Sequence, residues 1–364
     1  MSGGVRRATR DARPKVTKQA LRNAPPDTDF AARIVAWQRA HGRHDLPWQR
    51  TRDPYRIWLS EIMLQQTQVA TVLGYYERFL RRFPDVAALA AATLDEVLVL
   101  WQGLGYYGRA RNLHRCAQAV VQRHGGRFPA SSEALAHLPG IGRSTAAAIA
   151  AFAFGERVAI LDGNVKRVLT RVLGFEADLA QAASERTLWT HAGALLPQSG
   201  IESYTQGLMD LGATLCTPRA PSCAPCPVGA LCAARRSGDA ERLPVRTRRT
   251  VRSRRESWWL WLEWRGRVWL AQRPASGVWA GLWSLPLYDD EATLLATAKA
   301  LGTEPQAQPT VRHALTHFDW LLHPHRARLA RRPPGALLGA GRWVERTQLA
   351  TVALPAPLAK LLAA

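Results

Sequence analysis

Four of the five cysteines fall within 17 residues, as Cys216, six residues, Cys223, two residues, Cys226, five residues, Cys232. A disulfide framework would spread its cysteines more widely, so this spacing reads as a metal-binding loop around which the neighbouring chain must close. Four thiolates complete either a tetrahedral zinc site or the cubane of a 4Fe–4S cluster. Structural zinc sites usually come as two separated Cys-x-x-Cys knuckles, whereas one compact loop with a single Cys-x-x-Cys better wraps one cluster, structural and not catalytic in role. Spacing alone does not decide iron against zinc. Cys116, in the helical stretch RARNLHRCAQAV, reads as a buried inert thiol.

Lys and Arg number 49 against 28 Asp and Glu, a net charge of +21. An excess this large implies a polyanionic partner, most simply the nucleic-acid backbone. An acidic membrane is disfavoured, because no apolar run approaches 18 residues and no signal-peptide core follows the Arg-rich start. A cytoplasmic protein, at the nucleoid and monomeric, is expected. At about 150 residues per domain, 364 residues suggest two or three. Residues 1–27 have the composition of a disordered basic arm. Residues 28–235 are dominated by helical patterning, including one run from Ile57 to Phe83, IWLSEIMLQQTQVATVLGYYERFLRRF. Residues 236–255 are apolar-poor and cationic, an exposed linker. From 256 to 364 the pattern turns β-prone: SWWLWLEWRGRVWLAQR suits a hairpin breaking at Arg265 to Arg267, with further strand candidates and two helical stretches. The fold class expected is multidomain, an all-α domain carrying the cysteine loop followed by an α+β domain.

Two carboxylates stand out. In AILDGNVKRVLTR, Asp162 leaves an apolar run at the start of a helix, on a turn wet enough to keep it ionised. Taken alone it reads as an N-cap, a role worth roughly 1 kcal/mol. Glu61 lies among Ile57, Trp58, Ile62, Met63 and Leu64, apolar surroundings that would raise its pKa and let it hold a proton. Alone it reads as an exposed residue on the polar face of its helix. Two carboxylates in opposed environments divide an acid role from an anion role, the pattern of glycosyl-bond cleavage. Leu138-Pro139-Gly140-Ile141-Gly142 joins two short helices, and its glycines let backbone N–H groups converge on a phosphate at the second helix's N-terminus, a helix-hairpin-helix pattern.

The hairpin LPGIG, the acid-bearing LDGNVKR and the Cys-x6-Cys-x2-Cys-x5-Cys loop, in that order, resemble the endonuclease III superfamily of base-excision DNA glycosylases. WLSEIMLQQTQVATV and GLGYYGRARNLH are similar to the adenine DNA glycosylases of the MutY family, a likeness running over roughly residues 30 to 235. The resemblance implies excision of adenine mispaired with 8-oxoguanine, or less well with G, from double-stranded DNA, with other repair proteins as candidate partners. Adenine is flipped out, Glu61 protonates its N7, and Asp162 stabilises or transiently bonds to the oxocarbenium-like sugar before water completes hydrolysis. By the same resemblance, Asn164 and Ser144 would orient sugar and water. Related glycosylase/lyases carry Lys where this chain has Ser144, and serine forms no Schiff base, so a monofunctional enzyme leaving an abasic site is expected.

By the same resemblance, Gln65-Gln66-Thr67 and Leu104-Gly105-Tyr106 enter the helix at the lesion, Gly140 and Gly142 hold the backbone, and Trp48 and Gln206 are candidates for the adenine pocket. The last domain resembles the Nudix-like C-terminal domain that recognises 8-oxoguanine, and the family's Phe-Ser-His turn corresponds to Leu315-Thr316-His317. That departure keeps the hydroxyl of Thr316 and the imidazole of His317 but loses an aromatic ring. Glu291 to Leu301 has too few acids for the magnesium-binding Nudix helix, so nucleotide hydrolysis is not expected. The remaining alternatives are a bifunctional oxidised-pyrimidine glycosylase/lyase and a non-catalytic metal-stabilised DNA-binding protein.

Overall fold

Short polar residues cap the helices where the chain turns inward, each satisfying orphan N–H groups of a first turn: Asp53, Asp85, Thr93, Ser131, Asp162 and Asp290. A computed structural model describes residues 27–247, 252–333 and 338–363. Residues 1–26 of the expected basic arm and 248–251 of the expected linker lie outside the described residues. In chain order the helices are α1 (Asp27–His41), α2 (Pro54–Leu64), α3 (Val69–Arg82), α4 (Val86–Ala91), α5 (Leu94–Trp101), α6 (Gly108–His124), α7 (Ser132–Ala136), α8 (Arg143–Phe154), α9 (Gly163–Leu173), α10 (Ala182–Ala194), α11 (Ile201–Thr214), α12 (Ala233–Arg236), α13 (Glu291–Ala300) and α14 (Ala356–Ala363). The chain divides into two compact units, Met1–Arg43 with Arg157–Thr247, and His44–Glu156 with Arg248–Ala364. The stretch 28–235, expected as one helical domain, contributes to both units, the chain passing from one to the other after Arg43 and after Glu156.

In the first unit α11 packs against both α1 and α9. The approach to α9 needs a glycine: a Cβ on Gly212 would lie 2.6 Å from Cβ of Asn164. Asp210, fully buried on α11, is surrounded by donors, accepting Arg43 Nε at 2.7 Å, the Arg43 backbone N–H at 3.0 Å and the Gln206 amide at 2.8 Å. Residues 236–247 are mostly exposed, as expected of a linker, yet they are tied to this unit. Leu243 is buried, and its carbonyl accepts Arg171 Nε at 3.1 Å, while Leu179 N–H donates to Val245 O at 3.1 Å.

The second unit buries Trp58, Phe79, Phe83 and Trp101, with Trp58 against Phe128 and Phe79 against Trp101. The expected single helix from Ile57 to Phe83 is two helices: α2 stops at Leu64, α3 starts at Val69, and Gln66 between them is left-handed at φ +58°. Among the described residues the strands are β1 (Ser253–Trp264), β2 (Arg267–Gln272), β3 (Trp283–Ser284), β4 (Leu287–Tyr288), β5 (Gln306–Ala307), β6 (Val311–Ala314), β7 (Phe318–Arg328) and β8 (Arg342–Glu345). They form a mixed sheet with the central order β3-β2-β1-β7-β5, in which β4, β6 and β8 pair with β1, β7 and β2. The expected hairpin is present: Arg265 and Gly266 take φ +45° and +74°, the turn whose twist matches its strands. β1 and β7 run parallel from Ser253 opposite Phe318 to Glu263 opposite Arg328. The expected strand WSLPLY is two short pieces, β3 and β4, with Ser284 and Leu287 on either side of Pro286. Leu260, Leu262, Trp269, Leu294, Ala298 and Ala327 make a core between sheet and α13. Among the described residues no helix is long and apolar enough to cross a membrane.

Replacing Asp210 by Ala strands the Gln206 amide and a half-buried guanidinium, and is expected to lower unfolding free energy by about 2–3 kcal/mol. Denaturant titration of the whole chain checks this; a loss below about 0.5 kcal/mol would show that the cluster is dispensable.

Candidate active site

Asp162 caps α9, its Oδ1 accepting the Val165 N–H at 2.7 Å, so the N-cap reading of the sequence holds. Burial works against the ionisation expected of it. Burial pushes the Asp162 carboxyl above the usual carboxylate range, opposed by the N–H groups of Val165 and Asn164 and by the cations Arg167 and Lys166. The wet turn of the sequence reading is a half-closed niche, because Leu161 and Val165 on either side are buried. Asn164 is half-buried and accepts Arg167 Nη2 at 2.9 Å; the same guanidinium donates to Gly212 O at 2.6 Å and to Cys216 O at 2.7 Å. Gln206 is half-buried with its amide already on Asp210.

The four loop cysteines line one pocket with Val168, Arg171, Leu211 and Leu215. Arg171, 1% exposed, donates to Cys216 Sγ at 3.3 Å and to the carbonyls of Thr217 and Pro218, so one buried cation laces α9 to the loop. Backbone N–H groups reach Cys226 from Val228 and Cys232 from Arg235 and Ala234. Burial, reinforced by the neighbouring thiols, pushes Cys226 up to about 11 and raises Cys232. Such crowded thiols with N–H donors suit a cationic guest. Among the described residues no trio of His, Cys, Asp or Glu is arranged to hold a metal ion. Cys116 is fully buried and pushed up to about 12, the inert thiol expected.

In the second unit Glu61 is half-buried on α2, between buried Ser60 and Ile62. α2 packs on α8, which carries Ser144 in its first turn, also half-buried. The α7–α8 turn places Gly140 at φ +77°, where a Cβ would meet Cβ of Asn112 at 2.5 Å. No other residue fits both the dihedral and the space. Gly142 is exposed and caps α8. Gln65 reaches Thr145 of α8 at 3.3 Å, Gln66 is exposed, and Thr67 is half-buried.

Tyr106 is 48% exposed with φ +48°, which rules out a core role. Leu104 and Trp48 are placed differently from their expected roles. Leu104 is buried, and Trp48 is buried edge-on against Tyr76, so each offers little surface to a base or a groove. Both are large apolar side chains that the core claims first. Thr316 and His317 are exposed at the tip of the β6–β7 hairpin, closed by Leu315 N–H to Phe318 O at 2.9 Å. The Tyr106 hydroxyl lies 3.3 Å from Thr316 Oγ1, so the loop and the turn meet.

Sequence reading missed Arg109, 9% exposed in the first turn of α6, whose guanidinium binds both loops. The signal was present: Arg109 shares an apolar stripe with Leu113, Cys116 and Val120, where a solvated Arg does not belong.

Residues 59–192 match a family model described as HhH-GPD superfamily base excision DNA repair protein, and residues 258–364 match one described as NUDIX domain. The chain is 31% identical over 338 residues to the adenine DNA glycosylase of Buchnera aphidicola subsp. Schizaphis graminum, covering 92% of this chain and 97% of that protein. The chain belongs to the adenine DNA glycosylase family. A second relative, from Buchnera aphidicola subsp. Acyrthosiphon pisum, is 34% identical, covering 82% of this chain and 87% of its own length. The human adenine DNA glycosylase is 36% identical, covering 83% of this chain and 66% of that protein. Among solved structures, a thermostable thymine-DNA glycosylase aligns at 31% identity and TM-score 0.52, over 57% of this chain and 95% of that one. Membership makes the chain a DNA glycosylase with a helix-hairpin-helix domain and a Nudix-like C-terminal domain, the fold class expected.

Because burial raises Asp162, its proton is held more tightly folded than unfolded, and its contribution to stability is lost as pH rises out of the ordinary carboxylate range. Asp162→Asn keeps an N-cap and removes the buried charge, so it is expected to melt higher than the parent at pH 7, with the gap closing toward pH 3. Melting curves across that range test it, and a lower melting temperature at pH 7 would contradict it.

Proposed function

We propose that this chain excises adenine paired with 8-oxoguanine, and less well with G, by hydrolysis alone, leaving an abasic site. The observation that carries the chemistry is the half-buried carboxylate of Asp162 at the start of α9. An anion held where burial disfavours its charge gains from a neighbouring cation, and the oxocarbenium-like sugar is the cation that departure of adenine creates. Lys166 and Arg167 and the α9 N–H groups keep the carboxylate from simply protonating. Glu61, in apolar surroundings on α2, is the proton donor to N7 of the flipped base. Asn164, fixed by Arg167, and Ser144 orient sugar and water. Ser144 has no amine to form a Schiff base, which supports a monofunctional reaction.

The cysteine pocket suits a 4Fe–4S cluster better than zinc. One compact loop with a single Cys-x-x-Cys wraps one cluster more readily than the two separated knuckles of a structural zinc site, and all four thiols line one pocket. When bound, the cluster supplies structural crosslinking. Cys216, Cys223, Cys226 and Cys232 would hold it, with Arg171 donating to the first. The hydroxyl of Thr316 and the ring of His317, exposed at the hairpin tip, are the groups offered to 8-oxoguanine, and the net charge of +21 supports duplex binding. A location with the DNA of the cytoplasm follows from that reading.

A labelled A:8-oxoguanine duplex tests the reaction. Strand cleavage is expected only after alkali, and Glu61→Gln is expected to slow it by about 10²–10⁴. Nicking without alkali would indicate a lyase, and no base release a non-catalytic binder. Purified protein is expected to be brown and to bleach with loss of its melting stability when iron is removed; colourless protein that binds stoichiometric zinc would contradict the cluster.

A further inference from the structure

We infer that Arg109 is the positioning residue that holds the two DNA-entering loops, Gln65–Thr67 and Leu104–Tyr106, in their entering conformation. This rests on the reading that those loops enter DNA. α2 ends at Leu64, so the carbonyls of its last turn lack intrahelical partners. Arg109 Nη1 collects them, lying 3.0 Å from Ile62 O, 2.8 Å from Met63 O and 2.6 Å from Gln65 O. Nη2 lies 3.0 Å from Thr67 Oγ1, 3.1 Å from Leu104 O and 3.3 Å from Gly105 O. One planar fork thus joins the end of the Glu61 helix to both loops, a task that the single ammonium of a lysine does not reproduce.

Several features point the same way. Each loop holds a left-handed residue, Gln66 and Tyr106, and such conformations persist only where surrounding contacts impose them. The guanidinium carbon lies 5.2 Å from the Trp101 ring centroid and 5.5 Å from that of Tyr106, so the exposed Tyr106 ring is itself set by the cation. Burial pulls Arg109 down to about 10, still charged at neutral pH, and no carboxylate pairs with it among its described partners. Its two Nη groups are directed at main-chain carbonyls and one hydroxyl, with two rings nearby, which is the arrangement of a brace.

The test uses the full chain in a Glu61→Gln background, which holds the complex before base loss, and a duplex with 2-aminopurine beside the adenine opposite 8-oxoguanine. Its fluorescence rises as the helix opens. Arg109→Lys is expected to cut that rise at least about fivefold while leaving affinity for undamaged duplex unchanged, a split that a general folding defect would not give. Thr67→Val, which removes one acceptor and leaves the guanidinium, is expected to cut it about twofold. Tyr106→Ala and Gln66→Ala report on the loops themselves. If they lower the rise and Arg109→Lys does not, the brace is wrong and the loop reading stands. If they leave it intact, the loop reading is wrong. A full rise in Thr67→Val together with an unfolded Arg109→Lys also overturns the brace.

Discussion

An anion drawn partly out of water at the start of a helix is the constraint around which the first unit is built. Asp162 is withdrawn from water far enough to raise its pKa, and the N–H groups of α9 and the cations Lys166 and Arg167 offset part of that penalty. α9 must then be held rigidly. Gly212 lets α11 close on Asn164, Arg167 spans from Asn164 to Cys216 O, and Arg171 ties the buried side of the helix to the cysteine loop. The loop and the carboxylate are two ends of one braced helix. A substitution that loosens the loop therefore reaches Asp162 through α9.

The second unit solves a different problem, presenting polar and aromatic groups on loops without letting them wander. Gln66 and Tyr106 are exposed, both at positive φ, and both sit within a few residues of groups gripped by Arg109. The contact between Tyr106 and Thr316 adds the hairpin tip to the same surface. α6 contributes further fastenings, with Arg111 Nη1 on Ala280 O at 2.8 Å and Tyr107 OH on Leu354 O at 3.4 Å. The first turn of α6 thus links helices and sheet within this unit.

Much of this was legible in the residues. The spacing of the cysteines foretold a shared pocket, Asp162 followed by Gly163 and an apolar helical period foretold a capped helix, and Arg265-Gly266 foretold a hairpin turn. Each is a local pattern whose physics closes within a few residues. What escaped depends on partners far along the chain. The break between α2 and α3 falls in a stretch of good helix formers, and the agent that collects the freed carbonyls, Arg109, stands more than 40 positions away. The burial of Trp48 and Leu104 follows from tertiary packing that no local pattern records. The partial burial of Asp162 was also missed: its turn looks open in the residues, yet the side chain is half-buried and its carboxyl is raised.

The central claim is that Asp162 serves as a half-buried anion for the transition state and not as a cap alone. Asn caps a helix as well as Asp does but carries no charge. Single-turnover excision by Asp162→Asn on an A:8-oxoguanine duplex separates the two most directly. The account predicts a rate reduced by about 10²-fold or more with duplex affinity retained; a variant that excises adenine at the parent rate would contradict it.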